Sequence, residues 1–158
     1  MITGASTGIG YACALHLDRI GFRVFAGVRR DEDAERLRSA ASERLTPVTL
    51  DVTDAESIRA AASQVESDLG AEPLVGLVNN AGIAVSGPVE FLPIAEIRKQ
   101  LEVNFIGQVA VTQAFLARLR RDRLFGPRSN RPDAPLCAGV TPEGRGPDPP
   151  ASGGTPRS

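Results

Sequence analysis

"TGASTGIG", residues 3–10, sets three glycines in a loop just ahead of a helical stretch, with only Met1 and Ile2 before it. A strand that ends in such a turn and feeds a helix makes an anion site. The unpaired N–H groups and the positive dipole end of the helix both favour phosphate. Gly4 suits the sharp turn after the strand, and Gly8 lets a pyrophosphate come close to the backbone. Gly10 lets the helix lie against the sheet. The spacing is G-x-x-x-G-x-G, not the commoner G-x-G-x-x-G. A tight strand-to-helix turn without a ligand would use the same glycines, so the loop alone leaves the ligand open.

Downstream, two patterns alternate. "FRVFAGV" (22–28), "LTPVTL" (45–50) and "PLVGLV" (73–78) are short apolar runs of the kind buried on both faces. Helical patterns lie between them at 9–20, 32–41 and 54–69. The second places Ala34, Leu37 and Ala41 on one face. The third repeats Ile58, Ala62, Val65 and Leu69, with Asp54 as its N-cap. Gly21 and Gly70 follow two of the helices. This order predicts an α/β fold with a doubly wound parallel sheet, Rossmann-like, with a strand stub at 1–3. A long helix over 94–121 is apolar on more than one face, which predicts packing on the sheet and on a partner subunit.

Composition sets the limits. The 158 residues carry a net charge of −1 and are 42% hydrophobic, enough for one domain with a core. Neither a basic excess nor a basic run points to nucleic acid or a membrane surface. No stretch reaches the ~20 apolar residues of a membrane span, and no secretory leader is visible. Cys13 and Cys137 lie in unlike contexts and are read as reduced thiols of a cytoplasmic protein. Eight of the 12 prolines fall after residue 121. The expected division is therefore a partial nucleotide-binding domain at 1–121 and a disordered Pro/Gly/Arg-rich tail at 122–158.

Two further motifs close strands. "LDVTD" (50–54) carries Asp51, whose carboxylate suits an adenine amino group, and "NNAG" (79–82) ends the next strand. Both fall where ligands bind in parallel sheets. With the glycine loop and the Asn of "LEVNFIG" (Asn104), they resemble the short-chain dehydrogenase/reductase family over about residues 1–121. The resemblance implies an NAD(P)-dependent alcohol/carbonyl oxidoreductase. It implies that Gly4, Ser6, Gly8, Ile9 and Gly10 hold the pyrophosphate and that Asp51 and Val52 contact adenine. Asn79, Ala81 and Gly82 would line the ribose side, Asn79 also bracing the central sheet. Asn104 would be the catalytic Asn that orders a proton-relay water. A helix Asn bonded to local backbone would look the same in sequence.

Arg29 and Arg30 follow the second apolar run. An acidic residue there favours NAD, whereas Arg pairs with a 2′-phosphate, so NADP is preferred over NAD. A solvated turn with a local Arg–Asp pair is the alternative.

The family's chemistry needs a Tyr-x-x-x-Lys pair on one helix, where the ammonium lowers the phenol pKa. This chain has one tyrosine, Tyr11, and one lysine, Lys99, far apart. After "AFLARLRR" the resemblance stops. Ser129 matches the family's serine by residue type only. His16 reads as a surface or half-buried helix residue and Cys13 as a small core residue; no metal-ligand spacing is present. The expectation is a chain shortened at both ends of the conserved domain, by truncation or a changed reading frame. Such a chain would bind cofactor weakly or not at all and would not transfer hydride alone. A carbonyl or alcohol substrate would belong to a full-length relative. The rival reading is a non-enzymatic dinucleotide-sensing or subunit-pairing module, and a third assigns an unrelated site to the tail.

Overall fold

The computed structural model of the chain describes residues 1–125. In chain order its elements are α1 (Gly8–Arg19), β1 (Val24–Val28), α2 (Asp31–Ala40), β2 (Leu45–Thr49), α3 (Ala55–Leu69), α4 (Ile94–Leu101), a π-helical turn (Glu102–Ile106) and α5 (Gly107–Phe125). The tail expected from residue 122 lies outside the described residues from 126 onward, and α5 runs through the boundary placed at Arg121.

β1 and β2 pair in parallel, from Val24 opposite Leu45 to Val28 opposite Thr49. Ile2 forms parallel bridges to Ala26 on one side and to Val78 on the other. The order across the sheet is therefore β2, β1, the 1–3 segment, then Val78, all parallel as the alternating pattern predicts. The expected strand at 73–78 shrinks to the single bridge at Val78. The bridge is made by Thr3 N–H on the Val78 carbonyl (2.9 Å) and Val78 N–H on the Met1 carbonyl (2.8 Å). The Met1 amino group adds a bond to the Gly76 carbonyl (2.9 Å).

All five residues of β1 are buried, and the pleat sends alternate side chains to opposite faces. Val24, Ala26 and Val28 join Ala14, Ala34 and Leu37 of α1 and α2. Phe25 joins Val48 with Ile58 and Val65 of α3 and Val111 and Phe115 of α5. Two cores back to back on one sheet are what a run apolar at every position demands. Each large side chain so buried contributes roughly 1.5–3 kcal/mol. In α3 the buried stripe is Ile58, Ala61, Val65 and Leu69, with Ala62 partly covered. Asp54 caps this helix through Glu56 N–H (2.9 Å).

Two buried charged groups secure the layers. The Asp18 carboxylate accepts from Ser42 Oγ (2.5 Å) and Ser42 N–H (3.0 Å), tying the end of α1 to the turn before β2. The Arg118 guanidinium, 7% exposed, bonds Glu66 (2.7 Å) and the carbonyls of Gly70 and Glu72, tying α5 to the end of α3.

The long helix expected over 94–121 is interrupted by the π-helical turn. Gly107 lies so close to the turn after β2 that a Cβ would sit 2.6 Å from the Val52 carbonyl oxygen. Asn104 is meanwhile held by the backbone of Ile83. An unbroken α-helix of 28 residues would have to satisfy both contacts in one register; a π-turn, common at functional positions, shifts it. Beyond the turn, Val111 and Phe115 are buried, whereas Val109 and Leu116, like Phe105 and Ile106 of the turn itself, are exposed.

Candidate functional site

The carboxyl ends of the parallel segments converge on a cleft of about 590 Å³. The glycine loop forms its floor through Gly4, Ser6, Thr7, Ile9 and Gly10. Gly27, Val28 and Arg29 at the end of β1 form one wall. Leu50 to Thr53 after β2 and Asn80 to Ile83 form the next two, and Lys99, Glu102 and Val103 close the fourth.

The floor is built by close backbone packing. Gly4 has φ +65°, and a Cβ there would lie 2.6 Å from Ala81 Cα. A Cβ on Gly10 would lie 2.3 Å from both the Gly4 carbonyl oxygen and Asn80 Nδ2. These two glycines let α1 and the NNAG segment meet. Thr7 precedes α1 without a side-chain cap, and the first turn carries no acidic residue. The start of the helix thus remains suited to an outside anion.

A polar network holds this geometry. Thr3 Oγ1 accepts from the N–H groups of Asn80 and Ala81 (2.9 Å each). Asn80 Nδ2 donates to the carbonyls of Thr3 (3.0 Å) and Gly4 (2.9 Å). Gln108 Nε2 donates to the carbonyls of Ala81 (2.7 Å) and Val103 (3.0 Å). Strand end, loop and α5 are locked together with every described buried side-chain polar atom satisfied.

Among the sequence-predicted residues, Gly4, Ser6, Ile9, Gly10, Arg29, Asp51, Val52, Ala81 and Gly82 line the cleft. Gly8 stands in the loop at φ +58°, with open space where a Cβ would be. Asn79 turns away, its Nδ2 donating to Thr112 Oγ1 of α5 (2.8 Å). Asn79 thus ties its segment to α5, while Asn80 makes the bonds to Thr3 and Gly4. Asn104 grips Ile83 twice, accepting from its N–H and donating to its carbonyl (2.8 Å each).

Asp51 Oδ1 accepts from Thr53 Oγ1 (2.7 Å) and Thr53 N–H (2.9 Å). These bonds, the hydroxyl first, hold its carboxyl below the usual value, with a smaller contribution from Arg29. The Asp51 carboxylate on the cleft wall is thus favoured in its ionised form. Lys99 and Glu102 were not among the cleft residues expected from the sequence. With Val103 they occupy positions i, i+3 and i+4 of one helical face, and that spacing was the available signal. Tyr11 and Lys99 stand on different elements, α1 and α4, and Lys99 alone of the two lines the cleft.

The short chain dehydrogenase family matches residues 1–124. The chain is similar to mouse estradiol 17-beta-dehydrogenase 2, at 44% identity over 78% of this chain and 33% of that protein. It is 41% identical to mouse retinol dehydrogenase 7 over 87% of this chain and 44% of that one. The NADPH-bound carbonyl reductase from chicken fatty liver superposes with a TM-score of 0.71 at 34% identity, covering 76% of this chain and 51% of that chain. The chain therefore spans about a third to a half of the length of these proteins. With a family match over nearly the whole described region, and a cleft walled where such sheets bind ligands, the chain belongs to the short chain dehydrogenase family.

Proposed function

We propose that the cleft binds NAD(P), that it prefers NADP, and that the chain as written does not transfer hydride by itself. One observation carries the binding reading: the glycine loop, Asp51–Val52 and Ala81–Gly82 share a single cleft at the uncapped start of α1. The family takes NAD or NADP. Gly4, Ser6, Ile9 and Gly10 would hold the pyrophosphate, Asp51 and Val52 the adenine, and Ala81 and Gly82 the ribose side. The nicotinamide supplies the hydride when bound. Arg29, on the cleft wall, supports the NADP preference as a partner for a 2′-phosphate.

The parent reaction interconverts an alcohol and a carbonyl. The sequence contains no Tyr-x-x-x-Lys helix to move the proton, and general acid–base catalysis is worth about 10²–10⁴-fold. Binding without turnover is the result, in a reducing, cytoplasmic setting that suits the free, half-buried thiol of Cys13. Among the described residues no helix is long and apolar enough to cross a membrane.

Calorimetric titration with NADPH and NADH tests the reading. NADPH binding that tightens relative to NADH, and loses that margin in Arg29→Ala, supports it. Failure of both to bind, with the protein folded, sinks it. Carbonyl reduction by the purified chain would overturn the claim of no turnover.

A second reading, a subunit-pairing module, draws on the exposed stripe of Phe105, Val109 and Leu116 at i, i+4 and i+11. Sedimentation as a dimer that Val109→Glu dissociates would favour it.

A further inference from the structure

We infer that Arg36, on α2 and outside the cleft, is a positioning residue for the glycine loop. Its guanidinium donates to the Ser6 carbonyl, thirty residues away in sequence. The same group bonds the Asp33 carboxylate (2.7 Å) and lies over the Tyr11 ring, 5.7 Å from its centroid. Asp33, one helical turn earlier, aims the side chain. The Tyr11 face stabilises the cation against α1. One planar cation thus spans α2, the loop and α1.

The consequence lies in the Ser6–Thr7 peptide. A trans peptide is planar, and its carbonyl and the following N–H point in opposite directions. Pinning the Ser6 carbonyl toward α2 turns the Thr7 N–H to the side away from α2. That N–H stands beside the unpaired donors at the start of α1, and Ser6 and Thr7 both line the cleft. Arg36 therefore sets the direction of a donor for an anion that it does not itself face. Arg36 Nη2 makes both bonds while the planar group lies over the ring, and a lysine ammonium, a compact point charge at the end of its stem, does not combine that reach with that stacking.

This inference rests on the cofactor reading of the cleft, and its test separates the two. Backbone ¹⁵N relaxation on the ligand-free chain reads the order of Thr7 to Gly10. Calorimetry with NADPH and NADH then reads binding by wild type, Arg36→Ala, Arg36→Lys and Tyr11→Leu. The expected result is a lower order parameter for the loop amides in Arg36→Ala, with Val24 to Val28 unchanged. Dinucleotide binding should weaken about fivefold, the size of one exposed charge-assisted contact. Arg36→Lys recovers little, and Tyr11→Leu shifts the loop the same way by less. Unchanged loop order in Arg36→Ala overturns the inference, and so does full recovery in Arg36→Lys, which would mark a plain charge effect. Loop loosening in a protein that binds neither dinucleotide leaves the positioning role in place and refutes the cofactor reading instead.

Discussion

Asn80 reaches back across the sheet to Thr3 and Gly4, its Nδ2 donating to both carbonyls at 3.0 and 2.9 Å. This side chain turns the second asparagine of NNAG into a clamp on the start of the glycine loop. Asn80→Ala leaves two carbonyls without their donor, and an unmade buried bond costs about 1–3 kcal/mol. The expected drop in stability from urea unfolding is of that size. Asn80→Asp should cost more, since it sets a carboxylate against two carbonyl oxygens. Asn79→Ala, which breaks only the Thr112 contact, should cost less than either.

Gly10 and Gly8 provide a matched pair. A Cβ at Gly10 meets backbone and Asn80 at 2.3 Å, and overpacking of this kind costs about 1–3 kcal/mol or more. A Cβ at Gly8 meets nothing within 4 Å, yet its φ of +58° disfavours any other residue, by about 1–2 kcal/mol. Gly10→Ala should lower the urea midpoint more than Gly8→Ala. The reverse order would show that the α1–NNAG packing relaxes freely.

Burial pushes the Met1 amine down from 8.0 to about 6. Its neutral form is favoured in the fold, while the unfolded chain takes up its proton near pH 8. The contribution is complete above pH 8 and is lost as pH falls toward 6, by up to about 3 kcal/mol. Urea midpoints measured on the chain with a free Met1 amine should fall between pH 8.5 and 6. N-terminal acetylation should flatten that slope. An identical slope in both forms would rule out the amine as its source.

Acid unfolding should engage different groups. Ser42, through its hydroxyl and then its N–H, holds the Asp18 carboxyl below the usual value. Arg121 and then Arg118 do the same for Glu66. Folded values below unfolded ones give stability that is present near neutrality and lost as pH falls through the folded values. Ser42→Ala should move the acid midpoint upward in a circular-dichroism titration.

Arg118→Met keeps an apolar stem but removes the donors to Gly70, Glu72 and Glu66. Losing a buried, charged hydrogen-bonding group of this kind costs about 2–4 kcal/mol. Thermal melts should show a lowered midpoint. Arg121→Met, whose side chain is half exposed at 53%, should shift it by much less.

Local chemistry was legible without the fold. Glycine spacing, the apolar runs at 22–28 and 45–50, the Asp54 cap and the stripe of α3 each depend on residues a few positions apart, and periodicity records that. Cleft residues at strand ends were legible for the same reason, since a parallel sheet delivers every strand end to one side. What periodicity could not encode was decided by residues distant in sequence. The 73–78 run pairs only as a bridge between Ile2 and Val78. Packing of Gly107 on Val52 and of Asn104 on Ile83 accompanied the π-turn in a helix that reads as continuous. Asn79 and Asn80, adjacent and identical in sequence, differ only in what the fold sets beside them, Thr112 for one and Thr3 with Gly4 for the other. Arg36, Lys99 and Arg118 look like surface charges on helices until α2, α4 and α5 are docked. A long charged side chain has no local partner preference strong enough to show in sequence, and only tertiary packing determines what its tip can reach.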